Sequence, residues 1–351
     1  MRILYGVCGE GYGHAFRALA VAEHLEKKGH ELLILTYGKA YEILKEKFKV
    51  VRIEGLNYVV QDSKINKRRT VIHNVKNFPK NLIKHGEFKK IMNNFRPDVC
   101  LTDFEPVSAY LAKIHRIPLV SIDNEHVITS SKLKIPKGYR AYYLLAKNIV
   151  RAMTGRAKYF VVVSFFDFIP KKKNVFVVHP VLRPDILGKK IEDKEKIVVY
   201  LSREDDSILE LLRKINERFV VFGYNVDKID GNLEFKTREK FLDELVKCKA
   251  VIATAGFTLI SEAIYLKKPL LALPIKGQFE QFLNALFLKN SVFGEYSKNL
   301  TKKEIENFLH NLGRYREALN AYNPDYNVIF RALDEILIKL DGRHKGFHFY
   351  F

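Results

Sequence analysis

The sequence predicts an α/β protein with two Rossmann-like domains, each a doubly wound parallel sheet, facing a common cleft. Three observations support this fold class. Short apolar runs alternate with helical patterns along the whole chain, a polar stretch near the middle separates two such series, and a glycine-rich turn follows the first apolar run. Alternating strands and helices build parallel sheets covered by helices. At 351 residues the chain is long enough for two hydrophobic cores.

The first series defines an N-terminal domain over residues 1–183. A helix over Ala15–Lys28 has apolar residues on one face, and Gly29 ends it. The predicted strands of this domain cover residues 2–7, 31–36, 99–102, 119–122, 160–163 and 175–178.

The second series defines a C-terminal domain over residues 197–325, which we expect to bind a nucleotide-sugar. It follows a polar run, PDILGKKIEDKEK, that predicts a linker over residues 184–196. A final amphipathic helix over residues 326–342 is predicted to cross back to the first domain. The predicted strands of the second domain cover residues 197–201, 219–222, 233–235, 251–253 and 270–273.

Charge and composition narrow the class of partner. Sixty Lys and Arg residues against forty Asp and Glu give a formal charge of +20, which favours nucleotide phosphates, anionic lipid or nucleic acid. A Lys-rich solvated surface explains the same number. The chain contains no transmembrane-length apolar run or recognisable signal peptide, and its three cysteines are scattered. These features predict a cytoplasmic protein, with peripheral attachment to the inner face of the membrane as an option.

The turn Gly9-Glu10-Gly11-Tyr12-Gly13-His14 lies directly after the first strand. Its pattern is GxGxG, without the third glycine of a dinucleotide-binding fingerprint, and the acidic Glu31 precedes the second strand instead of ending it. A nicotinamide or flavin enzyme is therefore disfavoured. Gly11 and Gly13 are additional candidates for lining a binding site.

His14 lies at the end of this turn, where a helix begins. We expect the helix N-terminus to lower the pKa of His14, so that a neutral imidazole can take a proton from a hydroxyl group. The alternative is a histidine that only bonds the glycine loop. Asp103 follows the predicted strand 99–102 on the same sheet edge and can orient His14, or else cap the helix over residues 105–114.

In the second domain, residues 249–287 (KAVIATAGFTLISEAIYLKKPLLALPIKGQFEQFLNALF) predict a strand, a glycine turn, a helix, a strand, a polar loop and a helix. We expect Gly256 to allow a tight turn and Thr258 or Ser261 to cap the helix that follows. A helix N-terminus after a small-residue turn suits a phosphate group. The polar residues expected to bind the sugars of a nucleotide-sugar are Glu262, Gln278, Glu280, Gln281 and Asn284.

Four segments in a fixed order span nearly the whole chain. They are GEGYGHAFRALAVAEHLEKKGHE, RIPLVSIDNEH, HPVLRPDIL and TAGFTLISEA…ALPIKGQFEQFLNA. This set resembles the GT-B glycosyltransferases, and most closely the group of the peptidoglycan lipid-intermediate N-acetylglucosaminyltransferase and the UDP-glucuronosyl and macrolide transferases. The resemblance implies a GT-B architecture and a glycosyltransferase with a UDP-linked donor, whose acceptor binds on the side of the N-terminal domain over residues 1–183.

The resemblance also implies residue roles. Glu262 would accept hydrogen bonds from the ribose, and Glu280 and Gln281 would contact sugar or ribose hydroxyls. His14 would be the general base. Asp103, or less favoured Asp123, would support His14. The backbone amides that would hold the donor diphosphate are those of Gly256, Phe257 and Thr258.

Such enzymes usually invert the anomeric centre and need neither a metal nor another cofactor, so no metal ligands are expected here. The Asp205-Asp206 pair lies in a charged loop. The acceptor implied is a hydroxyl group of a lipid-linked or cell-surface glycan, and no nucleic acid is expected.

Two features depart from the pattern of the group. The segment Ser202-Arg203-Glu204-Asp205-Asp206 replaces a Gly/Ser-rich loop, so Ser202 and Arg203 are candidate diphosphate contacts opposed by their acidic neighbours. Arg17 stands where the group has proline. We expect Arg17 to be a solvated helix residue in preference to a contact for an anionic acceptor.

The segment from Lys64 to Arg96 interleaves basic and apolar residues, and Tyr139–Phe160 extends the same character. This pattern suits an anionic membrane surface, although a helix packing on its own sheet gives the same pattern. Two other function classes remain open: a UDP-sugar 2-epimerase, which needs no acceptor, and a non-catalytic nucleotide-sugar sensor, which tolerates loss of His14. A nucleic-acid binder is suggested by charge alone.

Overall fold

The computed structural model describes residues 1–55, 60–61, 64–65, 85–154, 156–192 and 195–341. The chain forms two compact units. Unit 1 comprises Met1–Val181 together with the chain from Asp325 onward, and unit 2 comprises Leu182–Pro324. Within the described ranges, no helix is long and apolar enough to cross a membrane.

Unit 1 contains a parallel sheet of seven described strands in the order β3-β2-β1-β6-β7-β8-β9. The chain winds outward from β1 to β3 and then returns to the centre at β6, which makes the β1/β6 boundary the topological switch point. A separate two-stranded ribbon is formed by β4 and β5. The strands are β1 (Arg2–Val7), β2 (Glu31–Thr36), β3 (Val50–Arg52), β4 (Val60–Gln61), β5 (Lys64–Ile65), β6 (Val99–Asp103), β7 (Leu119–Asp123), β8 (Tyr159–Val163) and β9 (Val175–Val178).

Helices cover this sheet, and a core cluster including Leu4, Leu33, Cys100 and Leu111 lies beneath them. The last helix folds with unit 1: Asp334 accepts from His24 Nε2 at 2.8 Å, and the ring of Phe330 stacks on His24. The described helices of unit 1 are α1 (Tyr12–Lys27), α2 (Gly38–Leu44), α3 (His85–Phe95), α4 (Pro106–Ile114), α5 (Val127–Ser130), α6 (Arg140–Thr154) and α13 (Val328–Asp341).

Unit 2 repeats the winding with the strand order β12-β13-β11-β10-β14-β15-β16, in which β12 alone is antiparallel to its neighbour among the described strands. Its switch point is the β10/β14 boundary. The strands are β10 (Ile197–Tyr200), β11 (Phe219–Phe222), β12 (Lys228–Asp230), β13 (Leu233–Phe235), β14 (Ala250–Thr254), β15 (Leu270–Leu273) and β16 (Gly294–Tyr296).

The described helices of unit 2 pack on this sheet around a core that includes Val199, Phe219, Ile252 and Phe308. They are α7 (Asp206–Arg213), α8 (Phe241–Lys247), α9 (Phe257–Tyr265), α10 (Phe279–Asn290), α11 (Lys302–His310) and α12 (Leu312–Ala321).

The start of the expected linker over residues 184–196 is built into unit 2. Pro184–Ile186 form a 3-10 turn, and Ile186 is fully buried. Glu192 N also donates to Val246 O at 3.2 Å. An apolar anchor in an otherwise charged run explains the difference, because burial of one isoleucine side chain contributes about 1.5–3 kcal/mol.

Candidate active site

Asp103 is the last residue of β6, at the topological switch point of unit 1. In the β1/β6 pairing it stands beside Val7, the residue at which β1 ends. Its side chain is fully buried. The helix that follows, α4, is capped by Glu105, whose carboxylate accepts from the N–H groups of Val107 and Ser108 at 2.7 Å each. Asp103 is thereby left to face α1, and the capping alternative for Asp103 does not apply.

His14 is the third residue of α1, which begins three residues earlier than the sequence predicts. Gly11 is the N-cap of α1 and has φ 84°, a conformation that favours glycine, and Gly13 lies within the first turn. His14 Nδ1 lies 2.6 Å from Asp103 Oδ1. An ionised carboxylate can only accept, so Nδ1 carries a proton, and in the neutral form of the ring Nε2 keeps its lone pair. His14 therefore bonds Asp103 in the arrangement expected of a base and its orienting group.

Arg17 is buried, so our expectation of a solvated helix residue at this position is wrong. Arg17 lies one helical turn after His14, and its side chain is only 5% exposed. Its Nε donates to Asp103 Oδ2 and its Nη2 to Asp103 Oδ1, each at 2.6 Å. Both oxygens of one buried carboxylate are thus engaged by a single guanidinium. A buried carboxylate requires such a partner, which is the physical reason for the position of Arg17.

The pKa values of this cluster follow from its charges. Burial alone would raise the pKa of Asp103, but Arg17 and His14 outweigh burial and lower it. Burial alone would lower the pKa of His14, but Asp103 outweighs burial and the pKa of His14 is raised. The expected lowering by the helix N-terminus is therefore wrong, because a carboxylate at 2.6 Å acts more strongly than a partial helix charge.

Glu125 is a further acidic residue of this site that the sequence argument missed. It follows β7, is 8% exposed, and its Oε1 lies 4.0 Å from His14 Nε2. The motif RIPLVSIDNEH contained it, but gave no reason to prefer it to its neighbour Asp123. Its negative charge lies beside the ring nitrogen that can accept a proton.

Asp123, the less favoured support for His14, serves another histidine. Its two carboxylate oxygens lie 2.8 Å from His126 Nδ1, and Ser121 Oγ donates to Oδ2 at 2.6 Å. His126 Nε2 lies 3.3 Å from Thr154 Oγ1, and all four side chains are buried. This network fixes the chain segment after β7, the segment that carries Glu125.

In unit 2, β14 leads directly into α9 through a short turn. Gly256 is the N-cap of α9 and has φ −72°, which any residue adopts, so the turn does not require glycine as we expected. A Cβ placed on Gly256 would meet nothing within 4 Å. Phe257 and Thr258 open α9, and Thr258 and Ser261 lie inside the helix instead of capping it. The glycine therefore leaves open space above the first turn, whose N–H groups attract anions.

Glu262, the residue expected to bind ribose, is 5% exposed and faces Arg183. Arg183 Nη2 donates to Oε2 at 3.1 Å, and Arg183 Nε lies 2.9 Å from Oε1. Burial raises the pKa of Glu262, and Arg183 partly opposes that effect. The carboxylate thus already has a cationic partner, which the sequence argument did not identify.

Two members of the predicted sugar-binding cluster support the loops around this turn. Asn284 Nδ2 donates to Ala255 O at 3.2 Å, and Gln281 Oε1 accepts from Ile275 N at 3.1 Å. Glu280 lies beside Gln281 in the first turn of α10 and is partly exposed. Glu280, Gln281 and Asn284 therefore lie on α10, the helix that follows β15, and backbone groups use part of the hydrogen-bonding capacity of Gln281 and Asn284.

Ser202 follows β10, next to β14, and its hydroxyl lies 2.6 Å from Thr254 Oγ1. Two hydroxyl groups therefore meet at the switch point of unit 2. Arg203 is the next residue, and Asp205 N-caps α7 by accepting from Ile208 N at 3.4 Å. Asp205, one of the acidic neighbours expected to oppose phosphate binding, therefore serves as the N-cap of α7. Among the described residues, no group of three His, Cys, Asp or Glu side chains is placed to hold a metal ion.

The sequence and the fold of this chain are similar to those of known proteins. The profile of glycosyl transferase family 1 matches residues 1–313. An uncharacterized glycosyltransferase of Methanosarcina mazei is 22% identical, with 97% of this chain and 96% of the relative covered. The UDP-N-acetylglucosamine--N-acetylmuramyl-(pentapeptide) pyrophosphoryl-undecaprenol N-acetylglucosamine transferase of Clostridium botulinum is 26% identical, with 88% of this chain and 90% of the relative covered.

Solved structures give the same answer for the fold. The crystal structure of the glycosyltransferase VinC in complex with dTDP has a TM-score of 0.63 and 12% identity, and covers 98% of this chain and 100% of that chain. Two parallel-sheet units with this likeness define the GT-B fold, as the sequence predicts. The chain belongs to glycosyl transferase family 1.

Proposed function

We propose that this glycosyltransferase moves a sugar from a UDP-sugar donor to a hydroxyl group of its acceptor. His14 acts as the general base. The observation that carries the proposal is the contact between His14 Nδ1 and Asp103 Oδ1 at a topological switch point. Ligands of doubly wound sheets bind at such points.

The chemistry divides between the two units. His14 Nε2 takes the proton of the acceptor hydroxyl, and the oxygen attacks the anomeric carbon of the donor sugar. The bond from that carbon to the diphosphate oxygen breaks, and the single displacement inverts the anomeric centre. The N–H groups at the start of α9, beside Gly256, receive the charge of the leaving diphosphate. One such donor contributes about 10²–10³ in rate, which makes a metal ion unnecessary in this proposal.

The donor side of the proposal rests on unit 2. Glu262 binds the ribose hydroxyls, and Glu280 and Gln281 contact sugar or ribose hydroxyls. Ser202 and Arg203, which follow β10, contact the diphosphate. The names of similar proteins support a nucleotide-sugar: the C. botulinum relative is named for UDP-N-acetylglucosamine, and VinC was crystallised with dTDP.

The test starts with a thermal-shift screen of the whole protein against UDP, GDP and dTDP, since a bound nucleotide raises the melting temperature by mass action. The nucleotide that binds is then supplied as its sugar conjugates, with and without glycan acceptors, in buffer with and without EDTA. Release of nucleotide that depends on acceptor and survives EDTA supports the proposal. Isomerisation of the donor without acceptor would favour the 2-epimerase, and absence of any shift would contradict the transferase mechanism.

For the acceptor, we propose that α6 brings unit 1 to an anionic lipid surface that carries it. Leu145 and Ile149 are each 48% exposed, and Leu144 is 55% exposed on the same helix. From His126 to Phe166 the sequence has no Asp or Glu but eight cations: Lys132, Lys134, Lys137, Arg140, Lys147, Arg151, Arg156 and Lys158. An exposed apolar strip in a purely cationic stretch is complementary to anionic headgroups. The expected contribution of residues 66–84 to this surface lies outside the described residues.

Co-sedimentation with vesicles tests the lipid surface. Wild-type protein should pellet with vesicles containing phosphatidylglycerol at low salt and not with phosphatidylcholine vesicles. The double variant Leu145→Glu/Ile149→Glu should stay in the supernatant. Ile229→Glu, at an exposed apolar position of unit 2, is the control and should bind as wild type does. Equal binding by the double variant would contradict a role for α6.

A further inference from the structure

Arg17 makes the His14–Asp103 pair a cluster of three. His14 and Arg17 are separated by one helical turn and both project from α1 onto the end of β6. Asp103 Oδ1 accepts from His14 Nδ1 and from Arg17 Nη2, each at 2.6 Å, while Oδ2 accepts from Arg17 Nε. The carboxylate of Asp103 is therefore shared between a permanent cation and an imidazole.

We propose that Arg17 is a positioning residue that holds Asp103 in place and keeps His14 neutral enough to act as a base; this inference rests on the proposed function of His14. Without Arg17, a buried carboxylate would have the imidazole as its sole cationic partner in this cluster. The ion pair with His14 would then be favoured, and an imidazolium cannot take a proton from an acceptor. Arg17 satisfies Asp103 permanently and leaves His14 to gain and lose its proton.

The charges around His14 agree with this division of labour. Burial lowers the pKa of His14, and Arg17, whose Nη2 lies 3.0 Å from His14 Nδ1, is the cation that lowers it further, against the raising effects of Asp103 and Glu125. Glu10, in the glycine turn, is a further acid that interacts with His14, and Tyr5 on β1 faces Asp103 and Arg17. With His14 neutral and the acids ionised, Asp103 is balanced by Arg17. Protonation of His14 during the reaction is then balanced by Glu125, whose Oε1 is 4.0 Å from Nε2.

The experiment measures the pKa of His14 in the whole protein by NMR of ¹³C-labelled histidine rings, with the His14→Gln spectrum providing the assignment. Arg17→Gln removes the cation, and we expect the pKa of His14 to rise by about one unit or more. Lys27→Gln removes an exposed cation from the same helix and should leave that pKa unchanged. A His14 pKa in Arg17→Gln within 0.3 (about twofold in proton affinity) of wild type would overturn the inference.

Arg17→Lys keeps the charge but loses the two-point contact. It should keep the pKa of His14 near the wild-type value, and it remains informative if Arg17→Gln does not fold. A rise of one unit in Arg17→Lys would show that the contact, and not the charge, matters, and would also overturn the inference as stated.

Kinetics separate this inference from the proposed function. The acid limb of the kcat/KM profile should move upward with the pKa of His14, so that Arg17→Gln loses about tenfold at a pH below both pKa values and recovers at high pH. If the NMR shift occurs but kcat/KM does not follow it, the role of His14 as base fails while the effect of Arg17 on His14 stands. If neither moves, the inference about Arg17 fails.

Discussion

Glu262 and Arg183 hold each other by two contacts within unit 2, with Nη2 donating to Oε2 at 3.1 Å and Nε lying 2.9 Å from Oε1. The two residues are 79 positions apart in sequence, and the arginine comes from the motif HPVLRPDIL, which spans the start of the unit. The carboxylate proposed to bind ribose is therefore oriented before any donor arrives. An oriented acceptor loses less entropy when a hydroxyl group binds to it.

A ribose contact at Glu262 predicts discrimination between nucleotides. Wild-type protein should bind UDP more tightly than 2′,3′-dideoxy-UDP by about tenfold, the value of one or two hydrogen bonds to a charged group. Glu262→Gln should lose most of that difference, as measured by calorimetric titration. Glu306→Gln, an exposed acid of α11, is the control. Undiminished discrimination in Glu262→Gln would show that ribose is read elsewhere.

Replacing the proposed base should affect chemistry and spare donor binding. We expect His14→Ala to lower kcat by about 10²–10⁴ because general-base assistance is lost. Its affinity for UDP should stay near the wild-type value, since the donor residues belong to unit 2. His24→Ala, on the same helix, controls for loss of a histidine. A His14→Ala enzyme with full activity would favour the sensor hypothesis.

Gly256 offers a test of the phosphate site that does not disturb folding. Its φ of −72° suits any residue, and an added Cβ would meet no atom within 4 Å. Gly256→Ala should therefore melt within about 2 °C of wild type, as surface changes of at most 0.5 kcal/mol do. The new methyl group would occupy the space above α9, so UDP affinity should fall at least about tenfold, or 1.4 kcal/mol. Unchanged affinity would place the diphosphate away from this turn.

Glu105 makes stability depend on pH. Burial raises its pKa from 4.5 to about 7, despite the two N–H groups it accepts. Ionisation is then more costly in the folded state than in the unfolded state, so the stability that Glu105 contributes is fully present below pH 4.5 and is lost as the pH rises to about 7. The loss is on the order of 3 kcal/mol.

Urea unfolding between pH 4.5 and 7.5 measures the effect of Glu105. Glu105→Gln cannot ionise and should show a flatter dependence on pH, although it keeps only one of the two side-chain oxygens that accept from the backbone N–H groups of α4. Glu306→Gln, at an exposed position, should keep the wild-type slope. Equal slopes in wild type and Glu105→Gln would contradict the role of burial.

The sequence pattern predicted the interior strands of both sheets, but it did not predict three short strands at the sheet edges. The strands β3, β12 and β16 have three residues each and lie at sheet edges. Edge strands need not be apolar on both faces, and Lys228 and Ile229 of β12 are exposed. Three residues also give no periodicity to detect. Interior strands such as β1, β10 and β14, by contrast, contain apolar runs of at least three residues that are buried on both faces.

The candidate site was predictable where residues follow a strand or open a helix, as His14, Asp103 and Gly256 do. The ion pair between Arg183 and Glu262 was not predictable, because the fold brings together two residues that lie 79 positions apart in sequence. Arg17 left one usable signal. A buried Asp103 needs a cation, and Arg17 is one turn from the histidine predicted to face Asp103.

The return of α13 to unit 1 makes unit 2 an insertion within the sequence of unit 1. Residues 182–324 form one continuous segment, so a single gene fragment can encode this unit. A fragment ending at Val181 would lack α13 and leave the surface that receives Ile329, Leu333 and Ile336 uncovered. A soluble version of unit 1 therefore calls for joining residue 181 to residue 325 through a short designed loop, and truncation alone should yield an aggregating product.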